Sequence, residues 1–395
     1  MGDHDELLAR PLIEPALRST AHMYINFWYP ICRTDELAEG GPVRSKLLGT
    51  QYVVFRDEDG QAHVLSDTCV HRGGSLSKGK VVDNWVQCPY HGWRFDGSGK
   101  CVEIPSMGDK KPPGRAKVDS YPVQEKYGIV FAFLGDLPEA ERPPLYEIEE
   151  YDDPAWRESD IIMMDINCFY ERSVENGIDP IHNEFVHPAQ GSPQPIEETV
   201  EHPETPWGSG VAGNYAEKGK KLTEGEGMES DTKHLNASSC HHGPNVIITY
   251  IHFAPNTGLH QYLFEAPIDE KNTKVYLVNL RSFRLDPKHD EAIRNANIYV
   301  TDEDIVILEN VFPIRTPDTL NQELLTPGDR TIVRYREFLD EWTAKGWRLD
   351  WKAMQACAGD KALAIPSPGR RESGNWVLDT VPLLEAETPK MKAVS

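Results

Sequence analysis

From Val43 to about Leu134 the apolar residues of this chain come in short runs broken by Gly, Pro and acidic pairs. In "QYVVFRDEDGQAHVL" two such runs flank Asp59-Gly60, a dipeptide that tolerates positive φ, and the pattern predicts a hairpin. "KYGIVFAFLG" is a second apolar run of strand length. Together they predict a small all-β domain. The charged, proline-rich stretch "GDLPEAERPPLYEIEEYDDP" follows and is the expected linker. Beyond it, "IIMMDINCFY" reads as a strand leading into a helical region at about 171–187. Residues 188–243 are polar and rich in Gly, Pro and Glu, a composition that predicts lids and surface loops. "NVIITYIHF", "LHQYLFEA" and "KVYLVNLRSF" have the spacing of an antiparallel meander. "DEDIVILENVF" and "TIVRYREFLDEWTAKG" carry helical periodicity. The expected fold class is α+β, divided as an N-terminal arm or helix (1–22), an all-β domain (23–140), and a domain with an antiparallel sheet flanked by helices (141–395).

Composition narrows the partners. The formal charge is −22, from 63 acidic against 41 basic residues, and such a surface repels phosphate backbones. Nucleic acid is therefore not expected. Nothing approaches a membrane-spanning apolar run, and the acidic start "MGDHDELLARPL" has no signal-peptide core. Glu6 stands where a myristoylation motif needs Ser or Thr. The expected location is the cytoplasm. Seven scattered cysteines do not suggest a disulfide framework, and only Cys69 and Cys88 have histidines at ligand spacing.

Those two lie in "CVHRGG" and "CPYHGW", with sixteen residues between His71 and Cys88. Two thiolates and two imidazoles, Cys69, His71, Cys88 and His91, suit a zinc site. They equally suit an iron–sulfur pair with two Cys on one iron and two His on the other. Gly73, Gly74, Pro89 and Gly92 favour the second reading, because close backbone N–H groups stabilise charge on sulfur.

The run "CVHRGGSLSKGKVVDNWVQCPYHGWRFDGSGKCVEIP" resembles the Rieske [2Fe–2S] motif of ring-hydroxylating and related oxygenases. The resemblance implies that Cys69 and Cys88 bind one iron, and His71 and His91 the other. It also implies a second, mononuclear iron centre. "ENGIDPIHNEFVHP" offers Asp179, His182 and His187, and non-haem iron(II) oxygenases use two His and one carboxylate. On one regular helix these imidazoles would stand about 140° apart. Pro188 after His187 and Pro180 after Asp179 relieve that, placing His187 at a helix end and Asp179 at an N-cap. A simple cap is the competing reading of Asp179. The family pattern Asn-x-x-Asp-x-x-His-x₄-His matches Asn176, Asp179, His182 and His187. By resemblance, the two His are ligands and Asp179 bridges to a cluster imidazole of a neighbouring subunit.

The third ligand is expected in "TDEDIVILEN". Asp304 shares a helical face with Ile307, Leu308 and Val311, whereas Asp302 falls on a wetter stripe with Val306 and Glu309. Asp304 is the choice and Asp302 the fallback; a capping box with Thr301 is the structural alternative. Phe169, Ile178, Phe185 and the 246–283 strands are candidate apolar walls. His252 and His260 are expected to be satisfied structural residues. No G-x-G-x-x-G follows a strand, so electrons would come from a separate NAD(P)H-dependent reductase or ferredoxin. The resemblance further implies a head-to-tail homotrimer and O₂ as co-substrate. It leaves open monooxygenation (hydroxylation or oxidative demethylation), cis-dihydroxylation of an aromatic ring, or a Rieske electron carrier without oxygenase activity.

Overall fold

The computed structural model describes residues 22–38, 40–179, 181–187, 192–193, 200–201, 204–216, 234–254, 257–317 and 322–386. The arm expected at 1–22 lies outside them, except for His22. The first part of the chain forms three small antiparallel sheets. One joins Phe27–Arg33, Ile129–Leu134 and Val123–Lys126. A second holds the expected hairpin, Thr50–Arg56 against Ala62–Ser66, with Gly60 at φ +82° in its turn. The third joins Lys80–Val82, Trp85–Gln87, Arg94–Phe95 and Cys101–Glu103.

The second part centres on a nine-stranded sheet. Val246–Ala254, Thr257–Pro267 and Thr273–Arg281 form the expected meander, with Tyr250 opposite His260 and Tyr262 opposite Val278. The loop reading of 188–243 needs correction. Gly210–Ala216 and His234–His242 are strands that extend this sheet, with short pairings at Ser192–Pro193 and Val200–Glu201. Their glycines, serines and asparagine have weak strand propensity, and the ladder offered by the neighbouring strand overrides it. The rest of that segment, including 217–233, lies outside the described residues.

The stretch expected as a linker is packed, not free. Leu145 and Ile148 are buried, and Glu150 accepts hydrogen bonds from Tyr262 and His260 on the sheet. Ile129–Leu134 is buried along its whole length because one core spans both halves; Phe131 meets Phe264 edge-on at 4.9 Å. The tail also returns to the first half, where Arg370 grips Asp119 through bonds of 2.7 and 2.8 Å.

Four helices matter to the site: α1 (Tyr170–Gly177), α2 (Asn183–Val186), α3 (Asp290–Leu308) and α4 (Arg330–Ala344). The helical region expected at 171–187 is thus two helices with a break between them. Helix α3 begins well before the 302–312 run, so Thr301 lies mid-helix. Its hydroxyl donates back to the carbonyls of Asn297 and Ile298, and the capping-box reading is overturned. Helix α4 buries Ile332, Tyr335, Phe338, Leu339 and Trp342, one face of a 3.6-residue period.

Helix α1 packs on the sheet through polar groups. Arg336 of α4 holds Glu175 and also Glu323. Ser173 donates to Glu265 Oε1 at 2.7 Å, while Glu265 Oε2, fully buried, has no hydrogen-bond partner. Burial pushes the Glu265 carboxyl up to about 8. Between the ordinary glutamate range and that value unfolding releases a proton, so stability falls as pH rises, by about 1.4 kcal/mol per pH unit. Glu265→Gln should remove this slope. In calorimetric melts its advantage over the wild type should grow from pH 5 to pH 7 by roughly 2–3 kcal/mol; parallel pH profiles would refute the assignment.

Candidate functional site

The two Cys-His loops share one backbone design. Cys69 N–H donates to the Gly74 carbonyl at 2.8 Å, and Gly73 N–H returns to the Cys69 carbonyl at 2.9 Å. Likewise Cys88 N–H donates to Trp93 at 2.8 Å, and Gly92 N–H to Cys88 at 3.1 Å. Gly73 and Gly92 take φ of +71° and +74°, a region that disfavours any side chain. Asp67 braces the first loop, accepting from the Ser75 hydroxyl and the Ser77 N–H.

The loops sort their ligands by chemistry. Cys69 and Cys88 are buried in an apolar cluster with Leu76, Val86 and Phe95, while His71 and His91 are exposed with ring centroids 4.4 Å apart. Burial beside the Cys88 thiol pushes the Cys69 thiol up to about 12. A thiolate pair there needs a cation to stabilise it. Single zinc requires all four donors around one ion, but among the described residues the four do not gather that closely. Two sulfurs inside and two imidazoles outside fit a two-iron cluster.

One set does converge on a single point: His182, His187 and Asp304 place their ligand atoms within 4.8 Å of one another. His187 Nε2 lies 3.0 Å and His182 Nε2 3.5 Å from Asp304 Oδ1. The break between α1 and α2 makes this possible. Asp179 Oδ1 accepts the Ile181 N–H at 2.7 Å, capping the turn, and His187 lies just past the end of α2. Each imidazole is fixed through its other nitrogen, His182 Nδ1 to the Asp179 carbonyl at 2.6 Å and His187 Nδ1 to Glu303 at 2.9 Å. Both Nε2 atoms are left to face a metal. Asn176 donates to the same Asp304 Oδ1 at 2.9 Å. Burial alone would lower the His187 pKa, but Asp304 and Glu303 outweigh it and the net shift is upward. Burial raises the Asp179 carboxyl.

Among the carboxylates of α3, Asp302 is exposed and joins no ligand group, whereas Glu303 orients His187, a role sequence reasoning did not assign. The helical-face argument held for Leu308, which is buried, but Ile307 is half exposed. Glu309 instead accepts from Asn167. Of the candidate walls, Phe169 and Ile178 are buried in the core and Phe185 is 78% exposed. The 246–283 strands, also expected as walls, offer a floor. On the strand face toward α1 and α3, Thr249, Ile251, Gln261 and Leu263 stay partly exposed although they lie mid-sheet. His241 and His260 are hydrogen-bonded as structural residues, to the Gly243 carbonyl and to Glu150.

Residues 27–122 match the Rieske [2Fe-2S] domain, and residues 166–345 the vanillate O-demethylase oxygenase C-terminal domain. The 3-chlorobenzoate-3,4-dioxygenase oxygenase subunit of Comamonas testosteroni is 36% identical over 41% of this chain, a match spanning only 37% of that protein. Methylxanthine N3-demethylase NdmB of Pseudomonas putida is 27% identical over 83% of this chain and 92% of its own length. Dicamba monooxygenase bound to 3,6-dichlorosalicylic acid superimposes with a TM-score of 0.69 at 22% identity, covering 82% of this chain and 98% of that one, a likeness of fold. Among the described residues no helix is long and apolar enough to cross a membrane.

A Cβ on Gly74 would stand 2.9 Å from Cys88 Sγ and 3.3 Å from Tyr90 Cβ. Gly74→Ala should therefore lose more than half of the acid-labile sulfide and the visible absorbance of the purified protein. Undiminished sulfide in this variant would contradict the loop geometry.

Proposed function

We propose, for a chain that belongs to the Rieske non-haem iron oxygenases, that it is the terminal oxygenase component hydroxylating or oxidatively demethylating a hydrophobic or aromatic small molecule. The single observation that carries this reading is the convergence of His182, His187 and Asp304 within 4.8 Å on a chain that also bears the paired Cys-His loops. A bare electron carrier has no use for that second centre. When bound, the cluster relays single electrons and the mononuclear iron activates O₂ for attack on a C–H bond.

In this reading residues 23–140 form the electron-relaying domain and 141–395 the catalytic one. Cys69, His71, Cys88 and His91 hold the cluster, and His182, His187 and Asp304 hold the iron. Asn176 and Glu303 keep Asp304 and His187 in their orientations. Asp179 is the bridge. Its carbonyl already holds His182, and its half-buried carboxylate caps the α1–α2 turn through the Ile181 N–H. His71 and His91 are exposed, so such a bridge suits a head-to-tail homotrimer in which one protomer's imidazoles meet Asp179 of the next. Electrons come from a separate NAD(P)H-dependent reductase or ferredoxin, and the protein works in the cytoplasm. The floor at Thr249, Ile251, Gln261 and Leu263 receives the substrate.

Turnover under ¹⁸O₂ tests the reaction: one labelled oxygen is expected, either in a hydroxylated product or in the formaldehyde released by demethylation and trapped before it exchanges with water. Two labels in one product would mean cis-dihydroxylation, and no O₂-dependent product an electron carrier. Asp179→Asn should slow turnover by about 10–100-fold while both centres keep their iron; unchanged turnover would exclude the bridge. His182→Ala should abolish turnover and lower mononuclear iron, measured after chelation and reloading, with sulfide content intact.

A further inference from the structure

The half of the chain that carries the Cys-His loops buries two carboxylates, and they are not treated alike. Asp119, 0% exposed, is gripped through both oxygens by Arg370. Asp67, 2% exposed, precedes Cys69 by two residues. Its Oδ1 accepts the Ser77 N–H at 2.6 Å, and its Oδ2 accepts the Ser75 hydroxyl at 2.6 Å and the Ser77 hydroxyl at 3.0 Å. Both oxygens thus act only as acceptors, the pattern of a carboxylate rather than a carboxylic acid. Arg44 Nε stops 3.9 Å from Oδ2, on a side chain that is 45% exposed. Arg72 and Lys78, on the same stretch of chain, are exposed. Water screens all three cations, so the charge on Asp67 is not cancelled as that on Asp119 is.

Position gives that charge its effect. Two residues of chain reach no further than about 7 Å, and Cys69 lies in the apolar cluster with Cys88, Leu76 and Phe95. A buried charge in such surroundings acts at longer range than one in water. We infer that Asp67 sets the reduction potential of the iron–sulfur cluster, its fixed negative charge opposing the electron that the cluster takes up. This rests on the cluster reading of the two loops and not on the reaction proposed above.

The effect has a use. Neutral imidazoles in place of two thiolates raise a cluster's potential, and a cluster held too high keeps its electron. Asp67 works against the imidazoles, so the electron received from the external donor passes on to the second iron centre. Asp67 touches no reacting atom and acts only through the cluster. The serines that fix it hold its charge at one place beneath the Cys69 loop.

The test is a redox titration of the cluster in the purified protein, followed by visible absorbance and by the electron paramagnetic resonance of the reduced form, without substrate or turnover. Asp67→Asn keeps the shape of the side chain and removes its charge. It should move the equilibrium about tenfold toward the reduced cluster, a rise of roughly 60 mV, the scale of one charge acting over about 10 Å at an effective dielectric near 20. Ser75→Ala removes a hydrogen bond and leaves the charge, so it should not raise the potential. A role in bracing alone would move both variants alike. The inference is overturned if Asp67→Asn leaves the potential unmoved or lowers it, or if Ser75→Ala raises it as far. Should Asp67→Asn lose its cluster, Asp67→Ser takes its place; loss in both assigns Asp67 to holding the loop and overturns the inference too. Acid-labile sulfide missing from the wild type would sink the cluster reading and this inference with it. Sulfide present with unmoved potentials sinks this inference alone.

Discussion

One carboxylate oxygen ties three helices together. Asp304 Oδ1, on α3, is met by Asn176 from the end of α1 and by the imidazoles that flank α2. None of these could arrive together on a continuous helix, where the two imidazoles would diverge by about 140°. The chain leaves helical geometry at Ile178, turns on the Asp179 cap, and re-enters it only for the four residues of α2. Fixing each Nδ1 then removes the remaining freedom, so each ring presents Nε2 to the same point. Local backbone chemistry and long-range contacts are satisfied by the same few atoms.

That arrangement is stiff because α1 is clamped from both sides. On its sheet side Ser173 engages Glu265, and Gly177 lies so close to Ile247 that an added Cβ would stand 2.8 Å from it. Toward α4, Arg172, Arg336 and Glu323 form an ion network around the buried Glu175. Removing one partner from such a network strands a buried charge, which costs several times what an exposed pair contributes. The first half of the chain solves its own problem by other means. Its loops use paired backbone bonds and left-handed glycines to bury sulfur and expose nitrogen, so the reactive edge faces outward.

Much of this was legible in the residues alone. The hairpin at Asp59-Gly60 and the all-apolar strand at 129–134 follow from turn chemistry and apolar run length. The meander at 246–281 follows from the spacing of its apolar runs. That the loops of Cys69 and His71 and of Cys88 and His91 form a matched pair was legible because spacing and neighbouring glycines shape such loops locally. Asp304 was chosen over Asp302 by helical phase, and of the two it is Asp304 that lies beside the histidines. The strands at 210–216 and 234–242 were not legible, since their glycines and small polar residues form a ladder only when a neighbour offers one. Thr301 misled because a capping box is a local pattern, whereas α3 starts eleven residues earlier.

By itself, then, the order of residues determined which groups can bind metal and where the helical path must break, because prolines and turn residues act on their immediate neighbours. Only the tertiary structure decided that Glu303 orients His187, that the charged 135–154 stretch is packed against the sheet, and that Arg370 meets Asp119. Those contacts join segments tens to more than a hundred positions apart. Their partners are chosen by strand register and by how helices settle on the sheet, which no local pattern encodes.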